Sequence, residues 1–335
     1  MAVTKCKQTN ENILRMAKNA FPEKFASEET CGSDVMAANE VQIEELTEGM
    51  CNAAYKLTFA DGFKTILKIA SPIKSGFLTN EINLMDAEVQ AMRLVADKMK
   101  ESDFVKVAQV YTYDTSKTLC EGDYFFMECL EGVNWIRFYD DLEAERPELK
   151  RQVGKIQRQL TAITNQKFGM LGDTEHVFDS LFEFVFYMIN NVLQDAAKKD
   201  VEIGVPAAEI LTLLAADKPY FDLVTTATLV HWDMWEGNIF VEGGNIVGVI
   251  DWERAMWAEP LMDEPFRYHK RCQDMLDGFL PKGRKELSEA EMRRIYWYDV
   301  LLDLTMMTEV FYREYEEDGQ YYWAKSLFDQ VWAKI

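Results

Sequence analysis

The sequence predicts an α+β protein in two lobes: a small N-terminal lobe built on an antiparallel sheet, and a larger, mostly helical C-terminal lobe. Three observations predict it. Residues 41–70 alternate apolar and polar side chains in three short runs separated by turn residues. Residues 134–230 are dominated by long segments with helical apolar spacing. Short strand-like runs then return at TLVHWD, GNIFVEG and NIVGVID, ahead of a helical, aromatic-rich tail at 286–334. At 335 residues the chain is long enough for one large domain or two lobes, and its 48% apolar composition is enough for a substantial core. The division is expected near Gly132, giving residues 1–131 to the first lobe and 132–335 to the second.

Each element has its own signal. QTNENILRMAKNAFP carries Ile13, Leu14, Met16, Ala17 and Ala20 at helical spacing and stops at Pro22. VQIEEL, AAYKLTFA and FKTILKIA read as a three-stranded meander with turns at EGMCN and ADG. NEINLMDAEVQAMRLVADKMK (80–100) returns to a helical period, with Ala87, Ala91, Leu94 and Val95 on one stripe. VKVAQVYTYD and DYFFMECLEG read as two further strands. DSLFEFVFYMINNVLQDAAKK and VPAAEILTLLAADKPY are the clearest helices of the second lobe.

Composition narrows the function. The formal net charge of −21 argues against a nucleic-acid partner, which selects basic surfaces, and favours cationic small molecules. Solubility alone is an equal explanation of that charge. Charged residues interrupt every apolar run before membrane-spanning length, and the N-terminus lacks the apolar core of a secretory signal. The six cysteines form no CxxC pair and no dense framework. A reduced, cytoplasmic protein with no membrane partner is the expectation.

Chemistry concentrates in HWDMWEGNIF (231–240) and VIDWE (249–253). Asp233 is expected in a loop after the strand TLV, Asn238 at the opening of the next strand, and Asp251 at the end of an apolar strand. The turn VEGGN between them closes a hairpin, which carries Asn238 and Asp251 back to the same end. Oxygen donors of this kind suit Mg²⁺, with Asn238 and Asp251 as ligands. Asp233 then accepts a proton from an attacking hydroxyl. That is the division of labour of kinase-type phosphoryl transfer. Taken singly, each aspartate or asparagine is more commonly a cap or turn residue, and His231 a packed histidine. The combined HxDxxxxN pattern is far more restrictive.

HWDMWEGNIF together with VGVIDWERA resembles the aminoglycoside phosphotransferase and choline kinase-like family, relatives of the protein kinases. The resemblance implies a protein-kinase-like fold, ATP or GTP as co-substrate, and His231, Asp233, Asn238 and Asp251 as the catalytic set. It further implies that Lys68, in TILKIA, holds the nucleotide's α- and β-phosphates, oriented by Glu88, with Glu81 as the alternative. Gly49 and Asn52 would lie in the nucleotide loop, where a single glycine departs from the GxGxxG of protein kinases. The backbones of Glu128 and Leu130 would meet the adenine edge. FGMLGD (168–173) resembles a family turn, and Asp263 either braces the catalytic loop or caps a helix.

The acceptor is expected to be a hydroxylated, cationic small molecule. Aminoglycosides lead, with a resistance role left open, and choline, ethanolamine, homoserine, macrolides and sugars are alternatives. Acidic candidates for its ammonium groups are Glu236, Glu259, Glu264 and the run REYEEDG (313–319). Aromatic candidates are Trp232, Trp235, Trp252, Trp257, Tyr296 and Trp297, most of which suit a core equally well. Two other classes compete. A nucleotide-binding regulator without turnover would not need the intact Lys68, Asp233, Asn238 and Asp251. A zinc hydrolase would need more than the isolated His176, His231 and His269. The oligomeric state is not encoded in any of these patterns.

Overall fold

The computed structural model describes residues 5–25, 41–47, 52–72, 76–99, 107–315 and 317–335. Gly49 lies outside the described residues. The chain divides into two compact units, residues 1–76 with 108–130 and residues 77–107 with 131–335.

The first unit holds helix α1 (Asn10–Ala20) and strands β1 (Val41–Leu46), β2 (Ala53–Phe59), β3 (Lys64–Ile69), β4 (Val110–Asp114) and β5 (Tyr124–Glu128). Among the described residues these strands form a five-stranded antiparallel sheet in the order β1-β2-β3-β5-β4. Thr9 caps α1 by accepting from the Asn12 N–H. Strict alternation along β2 sends Ala53, Tyr55, Leu57 and Phe59 to one face. There they pack with Leu67, Ile69, Tyr124 and Phe126 against Ile13, Met16 and Ala17 of α1. Phe21 adds edge-on contacts to Phe59, Phe63, Tyr111 and Phe126. Lys68, between Leu67 and Ile69, lies on the opposite face of β3, paired in register with Ala54 and Phe125.

The second unit also takes in residues 77–107 with helix α2 (Leu84–Lys98), which the expected division near Gly132 gave to the first lobe. Its hydrogen bonds explain the assignment. The Thr79 N–H and hydroxyl donate to Asp195 (2.6 and 2.7 Å), and Asn80 Nδ2 donates to the Met188 carbonyl (3.0 Å). Asn83 Nδ2 donates to the Gly172 carbonyl (3.1 Å), placing the FGMLGD turn against the start of α2. Asn83 adopts a left-handed conformation, so the helix starts at Leu84 rather than near residue 80.

The rest of this unit is helical around two small sheets. Its elements are β6 (Val133–Asn134), α3 (Arg146–Leu160), β7 (Thr164–Asn165), β8 (Gly169–Met170), α4 (Leu181–Lys198), α5 (Ala207–Ala216) and α6 (Lys218–Phe221). Then follow β9 (Ala227–Val230), β10 (Ile239–Glu242), β11 (Asn245–Val249), β12 (Met256–Ala258), α7 (Gln273–Phe279), α8 (Glu289–Tyr312) and α9 (Gly319–Trp332). Among the described residues the sheets run β11-β10-β6 and β7-β9-β12-β8. Capping boxes at Ser180/Glu183 and Ser288/Glu291 start α4 and α8. Helices α3 and α7 meet backbone to backbone. A Cβ on Gly154 would stand 2.0 Å from the Met275 carbonyl oxygen, and one on Gly278 2.0 Å from that of Arg151. Among the described residues no helix is long and apolar enough to cross a membrane.

Candidate active site

The buried strand β9 delivers the chain into the loop that carries His231 and Asp233. His231 is fully buried. Its Nδ1 accepts the Asp233 N–H (3.2 Å), so the ring hydrogen resides on Nε2, which donates to the Ile250 carbonyl (2.9 Å). The ring meets Trp252 edge-on at 4.5 Å. With both nitrogens engaged, His231 ties the loop that carries Asp233 to the segment before Asp251.

Asp263 performs both roles considered for it. Its Oδ1 accepts from the Met234 N–H (3.2 Å) and the Glu264 N–H (2.8 Å), the latter starting a 3₁₀ turn at Glu264–Phe266. Its Oδ2 accepts from the His231 N–H (3.2 Å) and from Gln157 Nε2 on α3 (2.8 Å). A carboxylate that is 1% exposed thus satisfies four donors around the loop.

Asn238 ends a 3₁₀ turn, Glu236–Asn238, rather than opening β10. Its Nδ2 donates to the Asp233 carbonyl (2.9 Å) and to Asp233 Oδ2 (3.1 Å). The amide orientation leaves Oδ1 as its acceptor atom. The β10–β11 hairpin pairs Ile239 with Val249, and the Ile250 N–H donates to the Asn238 carbonyl (2.9 Å). The hairpin therefore returns Asp251 to the Asn238 end. Asp251 lies two residues beyond β11, in a left-handed conformation (φ 68°, ψ 54°).

The carboxylates of Glu88, Asp251 and Glu253 converge, with ligand atoms all within 4.8 Å of one another. Such a set offers hard oxygen donors suited to a divalent cation. Burial pushes the Asp233 carboxyl up to about 7; Arg254 opposes the shift, and the charges of Asp251, Glu264 and Asp263 add to it. Glu81, the alternative to Glu88, is committed elsewhere. It receives Arg313 (2.6 Å) and Arg254 (3.3 Å).

In the first unit, Lys68 is 8% exposed and Asn52 sits in the bend before β2. The Glu128 N–H donates to the Gln109 carbonyl (2.8 Å), and Leu130 follows β5.

A model of the phosphotransferase enzyme family matches residues 42–263. The chain belongs to this family. Among curated proteins none matches the chain. Among solved structures, the phosphotransferase resembles aminoglycoside phosphotransferase APH(4)-Ia at 17% identity and a TM-score of 0.64, covering 96% of this chain and 98% of that one. A ternary complex of a thermostable mutant of that enzyme with AMP-PNP and hygromycin B matches at 16% identity and a TM-score of 0.60, covering 92% and 97%. A protein from Haemophilus somnus 129PT, provisionally described as a fructosamine-3-kinase, matches at 15% identity and a TM-score of 0.62, covering 87% and 90%. The fold is the α+β, protein-kinase-like fold.

Several acceptor candidates of this phosphotransferase have structural duties. Glu259 is held by Arg294 Nε and Nη2 (2.5 and 3.0 Å) and by the Tyr298 hydroxyl. Glu236 pairs with Lys150 and, at 3.5 Å, with Lys270, which also reaches Glu264 at 3.0 Å. Trp252 and Trp297 are fully buried core residues and Trp232 is 5% exposed. Trp257 and Tyr296 are half-buried, whereas Trp235 is exposed. Sequence reasoning missed Glu253 and Arg254, although both lie within the quoted VGVIDWERA. It also missed Arg313, which carried no motif signal.

Proposed function

We propose that this phosphotransferase moves the γ-phosphate of ATP or GTP to a hydroxyl of a small molecule. One observation carries the reading: a single hydrogen-bonded loop and hairpin join Asp233, Asn238 and Asp251 in a chain of this family. Asp233 takes the proton of the acceptor hydroxyl. The acceptor oxygen bonds to the γ-phosphorus as the bond to the β–γ bridging oxygen breaks, leaving the nucleoside diphosphate. Asp251 and the Asn238 Oδ1 are assigned to Mg²⁺, which would neutralise charge on the phosphate oxygens when bound. Lys68, Glu88, Gly49, Asn52 and the backbones of Glu128 and Leu130 are assigned to the nucleotide by their motifs.

The substrate class is read from charge and from likeness to solved structures. An aminoglycoside-like acceptor remains the first reading, supported by the likeness to APH(4)-Ia and by the charge of −21. A sugar-amine acceptor is the second, supported by the likeness to two proteins provisionally described as fructosamine-3-kinases. Labelled ATP and GTP are to be offered with Mg²⁺ and panels of aminoglycosides, glycated amines, macrolides, amino alcohols and sugars, with products read by mass spectrometry. Phosphorylated acceptor should appear, and Asp233→Ala should reduce its rate about 10²–10⁴-fold while nucleotide still raises the melting temperature. Turnover undiminished by that change rejects Asp233 as base. A thermal shift without any product rejects the kinase.

A further inference from the structure

The residue between His231 and Asp233 is held in an unusual way. Trp232 has φ 70°, a left-handed conformation that is strained for a bulky L-residue. The residue is 5% exposed, and among the described residues its Nε1 makes no hydrogen bond. Whatever fixes this residue also fixes the direction in which Asp233 leaves the backbone.

The Arg254 guanidinium stands 5.8 Å from the centre of the Trp232 ring. Arg254 is in turn clamped by carboxylates, with Nη2 lying 3.3 Å from Glu81 Oε1 and 3.2 Å from Glu309 Oε2. Arg313 completes the figure, at 2.6 Å from the same Glu81 oxygen and 3.1 Å from the same Glu309 oxygen. The four charges alternate in sign around a closed ring. Gln320 of α9 donates to the second Glu309 oxygen at 2.6 Å. None of the four side chains is more than 15% exposed. The ring ties three remote segments together: the approach to α2, the turn after Asp251 and the end of α8. Trp232, Arg254 and Glu81 also line a small cavity with Leu84, Met170 and Val192.

Stability alone is a poor reason for such a ring. Desolvating four charges is costly, and well-packed apolar residues often serve a core as well or better. Its location supplies a better reason, because it abuts the strained residue that precedes the proposed base.

We propose that Glu309 and Arg313, at the end of α8, are positioning residues for phosphoryl transfer: through Glu81 and Arg254 they fix the Trp232 turn from which Asp233 projects. Both lie beyond the family match at 42–263. The electrostatic influence of Arg254 on Asp233 accords with this placement. The inference rests on the kinase reading given above.

The test uses the full chain labelled with 5-fluorotryptophan, with the Trp232 resonance assigned through Trp232→Phe. Arg313→Met is compared with Arg313→Lys and with wild type, well below each melting temperature. Mg-ATP and Mg-GTP turnover is followed with water and with the best acceptor of the screen. Arg313→Met should shift the Trp232 resonance, leave the Trp135 resonance in place, and lower kcat by about tenfold to hundredfold with KM for nucleotide changed less than about twofold. Arg313→Lys, which keeps the charge, should recover part of kcat. A Trp232 resonance unmoved in folded Arg313→Met, or a kcat equal to wild type, overturns the proposal. If the wild type turns over no nucleotide, the kinase reading fails and this inference falls with it. Wild-type turnover fully retained in Arg313→Met removes this inference alone.

Discussion

Two groups of carboxylates flank the turn at 251–254, and they are built on opposite plans. Glu81 and Glu309 alternate with Arg254 and Arg313, two positive charges for two negative. Glu88, Asp251 and Glu253 instead crowd three carboxylates around one point. Residues 81 and 88 lie seven positions apart at the beginning of the same segment, so residue type and neighbourhood do not separate them. The difference lies in how the charges are arranged. In the first group opposite charges alternate around a ring. In the second, three carboxylates share one point, which offers hard oxygen donors of the kind a divalent cation takes.

The comparison can be broken most sharply at Asp251. Asparagine tolerates the left-handed backbone there, so Asp251→Asn removes a charge with little strain. Nucleotide turnover should fall by roughly 10³-fold, as for loss of a principal electrostatic stabiliser. The same variant should also lose most of the rise in melting temperature that Mg-nucleotide gives wild type. An undiminished rise would place the cation elsewhere.

Glu309→Gln should show itself in the stability of the free protein. Removing one member of a buried, paired set strands the guanidinium groups it served and should destabilise by about 3 kcal/mol, read by urea denaturation. The double change Glu309→Gln with Arg313→Met should recover part of that loss, since it restores the balance of charge.

A third group, Asp299 and Asp303 around Arg267, sits between the two plans, with two carboxylates for one guanidinium. Burial pushes Asp299 up to about 6 and Asp303 up to about 7, with Arg267 opposing both shifts. A raised carboxyl means that the folded state binds the proton more tightly than the unfolded one. The stability from this group is therefore fully present below about pH 4 and lost as pH rises toward 7. Asp303→Asn should flatten that part of the pH–stability curve, by at most a few kcal/mol across it. An unchanged slope would place the titration elsewhere.

Much of this architecture was legible in the chain. Alternation along 53–59 showed which face of β2 is buried. The glycine turn at 243–244 sets the hairpin that returns Asp251 to Asn238, and a hairpin is a local object. The ring of Glu81, Arg254, Glu309 and Arg313 was not legible. Its partners are separated by up to 232 residues, and a buried arginine is written in the same letters as an exposed one. The start of α2 was misplaced because Asn83 spends its side chain on Gly172, a tertiary partner that no local pattern reveals. His231 stood out because histidine is rare here. Its two nitrogens turned out to serve backbone groups that only the folded loop supplies.

The meeting of Gly154 with Gly278 has a reach beyond its own helices. Gln157, which donates to Asp263, sits one turn further along α3. Even a methyl group at either glycine would act as a wedge, lifting α3 and drawing Gln157 off the carboxylate that gathers the amides of His231 and Met234. A close seam between two helices thus doubles as the footing on which the loop carrying Asp233 is levelled.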